Sequence, residues 1–278
     1  MSKILLITGV STGFGRALAE AALAKGDRVV GTVRSESAKK EFEALKPAQA
    51  IGRVLDVTDT AAIGPMVAEI EKSVGAIDVL VNNAGYGFEG ILEESSLDEV
   101  RHQFDVNVFG AVAMIQAVLP FMRKRRAGRI LNITSMGGTI TFPGIGVYNG
   151  SKFALEGISE ALAKEVKGLG IHVTAVAPGG FRTDWAGRSM IRKERSIADY
   201  DEVFEPIRKR RQDMSGKQIG DPKKAAAAML SLIGAENPPM HLLLGSDAWR
   251  LVHEKLDFLK SEFDAWEKLT LSTDIDAA

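Results

Sequence analysis

Cysteine is absent from the 278-residue chain, which removes disulfides, thiolate metal sites, iron–sulfur clusters and a thiol nucleophile in one step. Any chemistry must run on oxygen and nitrogen. Histidine is scarce: His102, His172, His241 and His253 lie far apart, with no His-Glu-x-x-His pair on one helix face, so no metal is expected. No apolar run approaches the roughly 18 residues that span a bilayer. Lys3 is followed by only a short strand-like run rather than a secretory leader, so no membrane partner is expected and the reducing cytoplasm is the expected location. An excess of one charge is also missing. Lys and Arg number 35 against 36 Asp and Glu, a net charge of −1, which argues against a broad basic footprint for nucleic acid. The run Arg123-Lys124-Arg125-Arg126 stands where a helix ends, and cations there complement the helix dipole. Nucleic acid is not an expected partner. No Pro/Ser-rich linker and no internal repeat divide the chain.

Hydrophobic residues at 45% and charged residues at 26% are ordinary for a globular fold. Short apolar runs, rich in Val, Ile and Leu without strict alternation, fall at Lys3–Thr8, Arg28–Val33, Ile51–Leu55, Ile77–Val81, Arg129–Thr134, Ile171–Ala177 and Met240–Leu244. Such runs suit strands covered on both faces. Helical patterns fill the gaps at Arg16–Lys25, Ala61–Val74, Leu97–Arg126, Ser151–Leu169 and Lys223–Leu232. Seven strands with right-handed crossovers predict a single doubly wound parallel α/β sheet with helices on both faces, whose ligand site lies beyond the carboxyl ends of the strands. Residues 1–245 then form a nucleotide-binding and catalytic unit. The mixed-charge stretch near 184–221, with Trp185, Met190, Tyr200 and Phe204, reads as a lid. In the 246–278 extension, Trp249, Val252, Leu256, Leu259, Phe263 and Trp266 recur at spacings of three and four. That stripe predicts a C-terminal helix starting near Ser246 as N-cap, docked on its own domain or shared with a partner subunit.

Glycine, at about one residue in ten, exceeds the usual share of about 7%, and the excess is clustered. Gly9, Gly13 and Gly15 fall within Thr8-Gly9-Val10-Ser11-Thr12-Gly13-Phe14-Gly15-Arg16, between the first strand and first helix. Such glycines allow a tight turn and a close approach of a diphosphate to backbone N–H groups at a positive helix end. Ser11, Thr12 and Phe14 complete this candidate phosphate turn. At the end of the second strand stand Arg34 and Ser35, where an acid would select NAD through the ribose hydroxyls. A guanidinium there instead suits a 2′-phosphate, with help from Ser35 and from Lys39 or Lys40, so NADP is the expected cofactor. Asp56, followed by Val57, either accepts from the adenine amino group or caps the next helix. Asn82-Asn83-Ala84-Gly85 combines small residues for close approach with amides that tie strands together.

Tyr148 and Lys152 are four apart, on one helix face, and Ser135 precedes them at the end of the fifth strand. Carbonyl reduction needs a hydride on carbon and a proton on oxygen. A phenol has an ordinary pKa of about 10 and is a short, direct donor. A lysine ammonium at about 4 Å would be worth roughly 4 kcal/mol, bringing the phenol toward neutrality. The Ser135 hydroxyl would hold the substrate oxygen within reach of Tyr148.

With Thr8–Gly15, Asn82–Gly85, Asn107 in Asn-Val-Phe-Gly, Ser135, Tyr148-x-x-x-Lys152 and Pro178-Gly179 in order, the chain resembles the short-chain dehydrogenase/reductase family from about Lys3 to Leu244. The resemblance implies a Rossmann-type fold and an NADP(H)-dependent oxidoreductase. It makes Tyr148 the acid/base and Ser135 the orienting hydroxyl. Lys152 then lowers the tyrosine pKa and binds the nicotinamide ribose, while Asn107 helps hold a relay water. Pro178, Gly179, Phe181 and Thr183 fall near the nicotinamide, with Thr183 against its carboxamide. Arg34 is similar to the NADP-preferring branch, which includes hydroxysteroid- and retinol-type carbonyl reductases. The family assembles as homo-oligomers, and the C-terminal helix favours a dimer over the usual tetramer.

Tyr86, Phe88, Phe142, Val147 and Trp185 are the expected substrate contacts, joined by Gly137, Ile145 and Phe181. They favour a small apolar carbonyl compound or secondary alcohol. The charges of the lid offer a 3-oxoacyl thioester on an acyl-carrier protein or coenzyme A as an alternative. Interspersed acids make a solvated surface the simpler reading of them. A non-catalytic NADP(H)-sensing protein is the alternative from another class, but it would not need Ser135, Tyr148 and Lys152 together.

Overall fold

The computed structural model describes residues 2–275; Met1 and the last three residues of the expected 246–278 extension lie outside them. The chain runs β1 (Ile4–Ile7), α1 (Gly13–Lys25), β2 (Arg28–Val33), α2 (Glu36–Glu43), β3 (Ala50–Val54), α3 (Thr60–Ser73) and β4 (Val79–Asn82). It continues through β5 (Gly87–Glu89), α4 (Leu97–Phe104), α5 (Gly110–Arg125), β6 (Gly128–Ile133), α6 (Gly146–Val166) and β7 (Ile171–Pro178). The last part holds β8 (Met190–Arg192), α7 (Asp201–Asp213), α8 (Pro222–Gly234), β9 (His241–Leu244), α9 (Ser246–Ala265) and α10 (Glu267–Leu271). Seven strands form one parallel sheet in the order β3-β2-β1-β4-β6-β7-β9. Strand order reverses between β1 and β4, so the crevice opens there.

Both faces of the sheet are buried, which explains why the strands lack alternation. On one face, Leu5, Ile7, Val29 and Val81 pack with Leu18 and Ala22 of α1 and Met229 and Ile233 of α8. On the other, Leu6, Val30, Leu80 and Ile130 meet Val67 and Ile70 of α3, Met114 and Val118 of α5, and Leu162 of α6. Strand-like runs and strands agree to within a residue or two at most ends. The helices differ more. α2 is an addition, with Phe42 driven to 0% exposure against Gly31. The expected single helix Leu97–Arg126 is broken at Asp105–Phe109 by a π-turn, where the Gly110 N–H donates to the Asp105 carbonyl. Helical backbone nonetheless runs on through the π-turn from Leu97 to Arg125, and that run is long and apolar enough, by composition, to cross a membrane. This departs from the expected lack of such a segment. Met114, Ile115, Val118 and Met122 within it are buried against the sheet. The basic run does end α5, with Arg126 in a left-handed conformation as C-cap.

The C-terminal helix departs from expectation at both ends. Ser246 is its first helical residue rather than a side-chain cap; Gly245, at φ +101°, precedes it and has no side chain to bond. Docking on its own domain is confined to the first turns: Ala248 and Val252 are the only buried residues of α9, while its other apolar side chains are half-buried or exposed.

Candidate active site

A cleft of about 1390 Å³ lies along the carboxyl ends of the strands and takes in both groups of motif residues. At its nucleotide-like end, Gly9 and Gly13 have φ of +72° and +61°, which glycine adopts without strain. Gly15 does not line the cleft: a Cβ there would overlap the Gly9 carbonyl oxygen and the Asn83 amide, so its role is close packing beneath the turn. Asn83 Nδ2 donates to the Thr8 and Gly9 carbonyls at 2.9 Å each. Thr8 Oγ1 in turn accepts from the backbone N–H of Asn83 and Ala84, also at 2.9 Å each. These bonds clamp the glycine turn to the end of β4. Thr12 makes no side-chain cap bond and the first turn of α1 carries no acid, so its N–H donors open onto a cleft wall of Gly9, Ser11, Thr12, Gly13 and Phe14. That donor set fits a diphosphate.

Arg34, Asp56 and Val57 line the wall, with Asn83, Ala84 and Gly85 between them and the reacting end. Arg34 is exposed and makes no ion pair among the described residues. Ser35 is outside the wall: its Oγ accepts from the Ala38 N–H and caps α2. Lys39 is directed to Glu36, at 3.8 Å. The helix cap proposed for Asp56 belongs to Asp59, which accepts from the Ala62 N–H. Asp56 instead accepts from the Thr58 backbone and hydroxyl at 2.9 and 2.7 Å. The backbone bond chiefly holds its carboxyl below the usual range.

At the other end, Ser135, Tyr148 and Lys152 share the wall. Ser135 Oγ accepts from the Gly137 N–H at 3.0 Å, leaving its own proton free to donate. Tyr148 is 5% exposed, with its ring 5.0 Å from that of Trp185. Lys152 Nζ donates to the Ile133 carbonyl at 2.9 Å and lies 5.8 Å from the Tyr148 ring centre. Burial dominates both groups. It pushes the phenol up to about 12, which the neighbouring Ser135 hydroxyl only partly offsets. It also brings the ammonium down to about 8, against the opposing pull of Glu156. Burial thus raises the phenol, against the downward pull expected from Lys152, and Lys152, itself drawn toward neutrality by burial, is not among the groups that offset the rise. At neutral pH Tyr148 holds its proton.

Several expected residues sit elsewhere. Asn107, in the π-turn and 2% exposed, stands behind the wall. Its Oδ1 accepts from the Tyr86 N–H, and its Nδ2 donates to the Tyr86 carbonyl and Ser151 Oγ, at 3.1 Å each. Phe88 and Val147 are buried in the interior and do not reach the cleft. The β5 strand that carries Phe88 pairs with β8 and turns that ring inward. Tyr86, Phe142, Ile145, Phe181 and Trp185 do line the cleft, as do Gly137, Pro178, Gly179 and Thr183.

Other lining residues are new. Ile207, Arg210 and Arg211 come from α7, Met214 is its C-cap, and Asp247, Arg250 and Leu251 come from α9. Asp247 Oδ2 accepts from the Gly180 N–H at 2.7 Å, and a Cβ on Gly179 would overlap its carboxylate. Gly180 and Asp247 are 67 positions apart, so no spacing in the sequence betrays the contact. The α7 helix left a trace: Asp201 and Glu202 open it and Arg210 and Arg211 close it, the polarity that a helix dipole favours. The charges of 184–221 largely form internal ion pairs. Arg192, Arg208 and Arg211 converge on Glu89, whose side chain is fully buried. Arg195 binds Glu94, Asp201 and Glu205 and lies over the buried Phe204 ring at 5.0 Å.

The sequence pattern of the family described as short chain dehydrogenase matches residues 3–193. Oxidoreductase BOA17 of Botryotinia fuckeliana is 36% identical over 277 residues, covering 98% of this chain and 100% of the relative. The 3-ketodihydrosphingosine reductase of Bacteroides thetaiotaomicron is 39% identical over 250 residues, covering 87% and 88%. A solved short-chain dehydrogenase from Streptomyces avermitilis superposes with a TM-score of 0.92 at 42% identity, covering 98% of each chain. Among other similar structures, ElxO has NADP bound (28% identity, TM-score 0.73, covering 87% and 96%). A relative from Burkholderia phymatum is in complex with NAD (26%, 0.81, covering 93% and 95%).

Removing one partner of a buried charge cluster costs about 3–5 kcal/mol. Glu89→Gln should lower stability by about 3 kcal/mol in urea unfolding, and should speed tryptic cleavage within 184–221 ahead of global unfolding. Unchanged proteolysis would show that Glu89 does not anchor the segment.

Proposed function

The chain belongs to the short-chain dehydrogenase/reductase family, and on that premise we propose that it is an NADPH-dependent reductase of apolar ketones or aldehydes, with Tyr148 as proton donor. The observation that carries this is a buried, protonated phenol beside Ser135, in the same cleft as an uncapped glycine-rich helix start. NADPH, when bound, supplies the hydride for the carbonyl carbon. Ser135, with its Oγ already accepting the Gly137 N–H, donates to the carbonyl oxygen and aims it at Tyr148. The Tyr148 hydroxyl then delivers its proton to that oxygen as negative charge develops. Lys152 holds the ribose hydroxyls and contributes positive charge next to the phenolate left behind. Segment 184–221 covers the reacting end, and Trp185, Ile207 and Met214 exclude water from it. Asn107 positions Tyr86 through both backbone groups.

Support for an apolar substrate comes from Tyr86, Phe142, Ile145, Trp185 and Ile191 in the wall, and from the relative that is named a 3-ketodihydrosphingosine reductase. Support for NADP comes from Arg34, exposed on the wall and without an ion pair among the described residues. The internal pairing of the lid arginines argues against a docking surface for an acyl carrier.

Tyr148→Phe should retain NADPH binding, read by fluorescence, and lose about 10²–10⁴-fold in kcat for an apolar ketone. Retained turnover would remove Tyr148 from the chemistry. Lys152 is cationic below about pH 8 and neutral above it, while Tyr148 stays protonated to about 12. The value of kcat/KM for reduction should therefore be level at low pH and fall as pH rises through about 8; a profile that falls only above pH 10 would contradict this role for Lys152. Arg34→Ala should raise KM for NADPH by roughly 10–100-fold, from the loss of a charge-assisted contact, and leave KM for NADH unchanged. Equal effects on the two cofactors would exclude a 2′-phosphate contact.

A further inference from the structure

Lys152 is buried, and its Nζ donates to the Ile133 carbonyl without forming an ion pair among the described residues. A buried ammonium is costly unless an anion stands near. Glu156 is that anion. It lies one turn further along α6, on the same helix face as Lys152, and its side chain is only 13% exposed. Three elements fix it. From the end of β6, Thr134 Oγ1 is 2.6 Å from Glu156 Oε1 and 2.9 Å from the Val176 carbonyl, so its proton goes to the closer, charged acceptor. From β9, the edge strand of the sheet, His241 Nδ1 lies 3.1 Å from Oε2 and donates, since a carboxylate only accepts. In the turn that follows Ser135, a Cβ on Gly138 would come within 2.9 Å of Glu156 Cγ, so the glycine gives the acid its place.

We infer that Glu156 is a positioning residue for the proposed reduction: held by Thr134 and His241, its carboxylate is the counter-charge that keeps Lys152 an ammonium, ready for the phenolate that forms at Tyr148. The other groups around the pair do not supply that charge. The end of β4 brings Gly85 toward Lys152 Nζ and the π-turn brings Asn107 beside Gly85, and neither titrates. Tyr148 keeps its proton. Glu160, one turn beyond Glu156, faces His241 Nε2 at 3.8 Å and is paired with Lys164. Burial draws Lys152 toward its neutral form, and Glu156 pulls the other way. His241 is half-exposed, so the anchoring of a buried acid beside the reacting end reaches the surface of the last strand. Glu156 and His241 are 85 positions apart, and no helix or strand period in the sequence joins them.

Nuclear magnetic resonance of the full-length protein, grown with carbon-13-labelled lysine, tests it by following the Lys152 ε-carbon, identified by its loss in Lys152→Arg. In wild type that signal should titrate near pH 8. Glu156→Gln keeps the shape and removes the charge, and should move the midpoint down by about one pH unit or more. Glu156→Asp keeps the charge but shortens the reach to Thr134, and should stay nearer to wild type. With the midpoint one unit lower, kcat/KM for reduction by Glu156→Gln should be roughly fivefold below wild type at pH 8 and little changed at pH 6, whereas loss of a merely structural group would lower it at both. This second effect rests on the reductase reading; the NMR midpoint does not. Far-UV circular dichroism checks folding. Should Glu156→Gln fail to fold, His241→Arg, on the edge strand, sets a permanent cation against Glu156 and should move the midpoint the same way by less. A midpoint that stays near pH 8 in folded Glu156→Gln, or in His241→Arg, would overturn the inference. A midpoint that moves while the pH profile of kcat/KM stays in place would support Glu156 as the counter-charge and remove Lys152 from the reduction instead.

Discussion

The close approach of the ends of β1 and β4 is the constraint on which the rest of the site depends. At the switch point, adjacent parallel strands lead away to opposite faces of the sheet, and the gap between their exits has to be held open yet rigid. Thr8 and Asn83 hold it with reciprocal bonds between side chain and backbone. Gly15 must lack a Cβ for the Asn83 amide to reach the turn. Buried polar groups that are fully paired in this way specify one arrangement, because any slip would strand a donor away from water. The uncapped start of α1 and the reacting end of the cleft both take their positions from this clamp.

Burial then sets the electrostatics. Tyr148 lies against Trp185 and Lys152 is buried behind it against the end of β6, and exclusion of water moves both groups toward their neutral forms. A cation beside a phenol would have the opposite effect on the phenol in water, so the sign of the shift is decided by solvent access. The same covering that disfavours phenolate keeps the proton in place for donation.

Segment 184–221 is held down by ions rather than by a large apolar face. Glu89, in the short β5–β8 sheet, gathers three guanidiniums, and Phe204 of α7 packs into the space left by Gly144. Buried charge of this kind adds less stability than its geometry suggests, because each ion has lost its hydration. Its contribution is specificity of placement: α7 can bring Ile207 and Met214 to the cleft in only one register. From the other side, Asp247 at the start of α9 fixes the Gly179–Gly180 turn, so the first turns of α9 are seated at the cleft wall and on the domain while its later turns extend into solvent.

The seven strands, the glycine turn, and Ser135, Tyr148 and Lys152 were legible because each rests on local rules: apolar runs, helix spacing, and glycines at a strand-to-helix turn. α2 and α7 were not. The first is stabilised mainly by a single ring, Phe42, seated against Gly31, and the second is too polar for an apolar period to show. Phe88 and Val147 sit at chain positions adjacent to the site, and only the direction of each side chain, decided by long-range packing, turns them away from it. By itself the sequence determined the fold class, the order of the motifs and the chemical types present at the cleft. The tertiary structure decided which carboxylate caps which helix, where Arg192, Arg208 and Arg211 find their common partner, and the direction in which Tyr148 and Lys152 shift. The reason is that desolvation and pairing depend on which distant segments meet, and no spacing along the chain encodes the depth at which a group is buried.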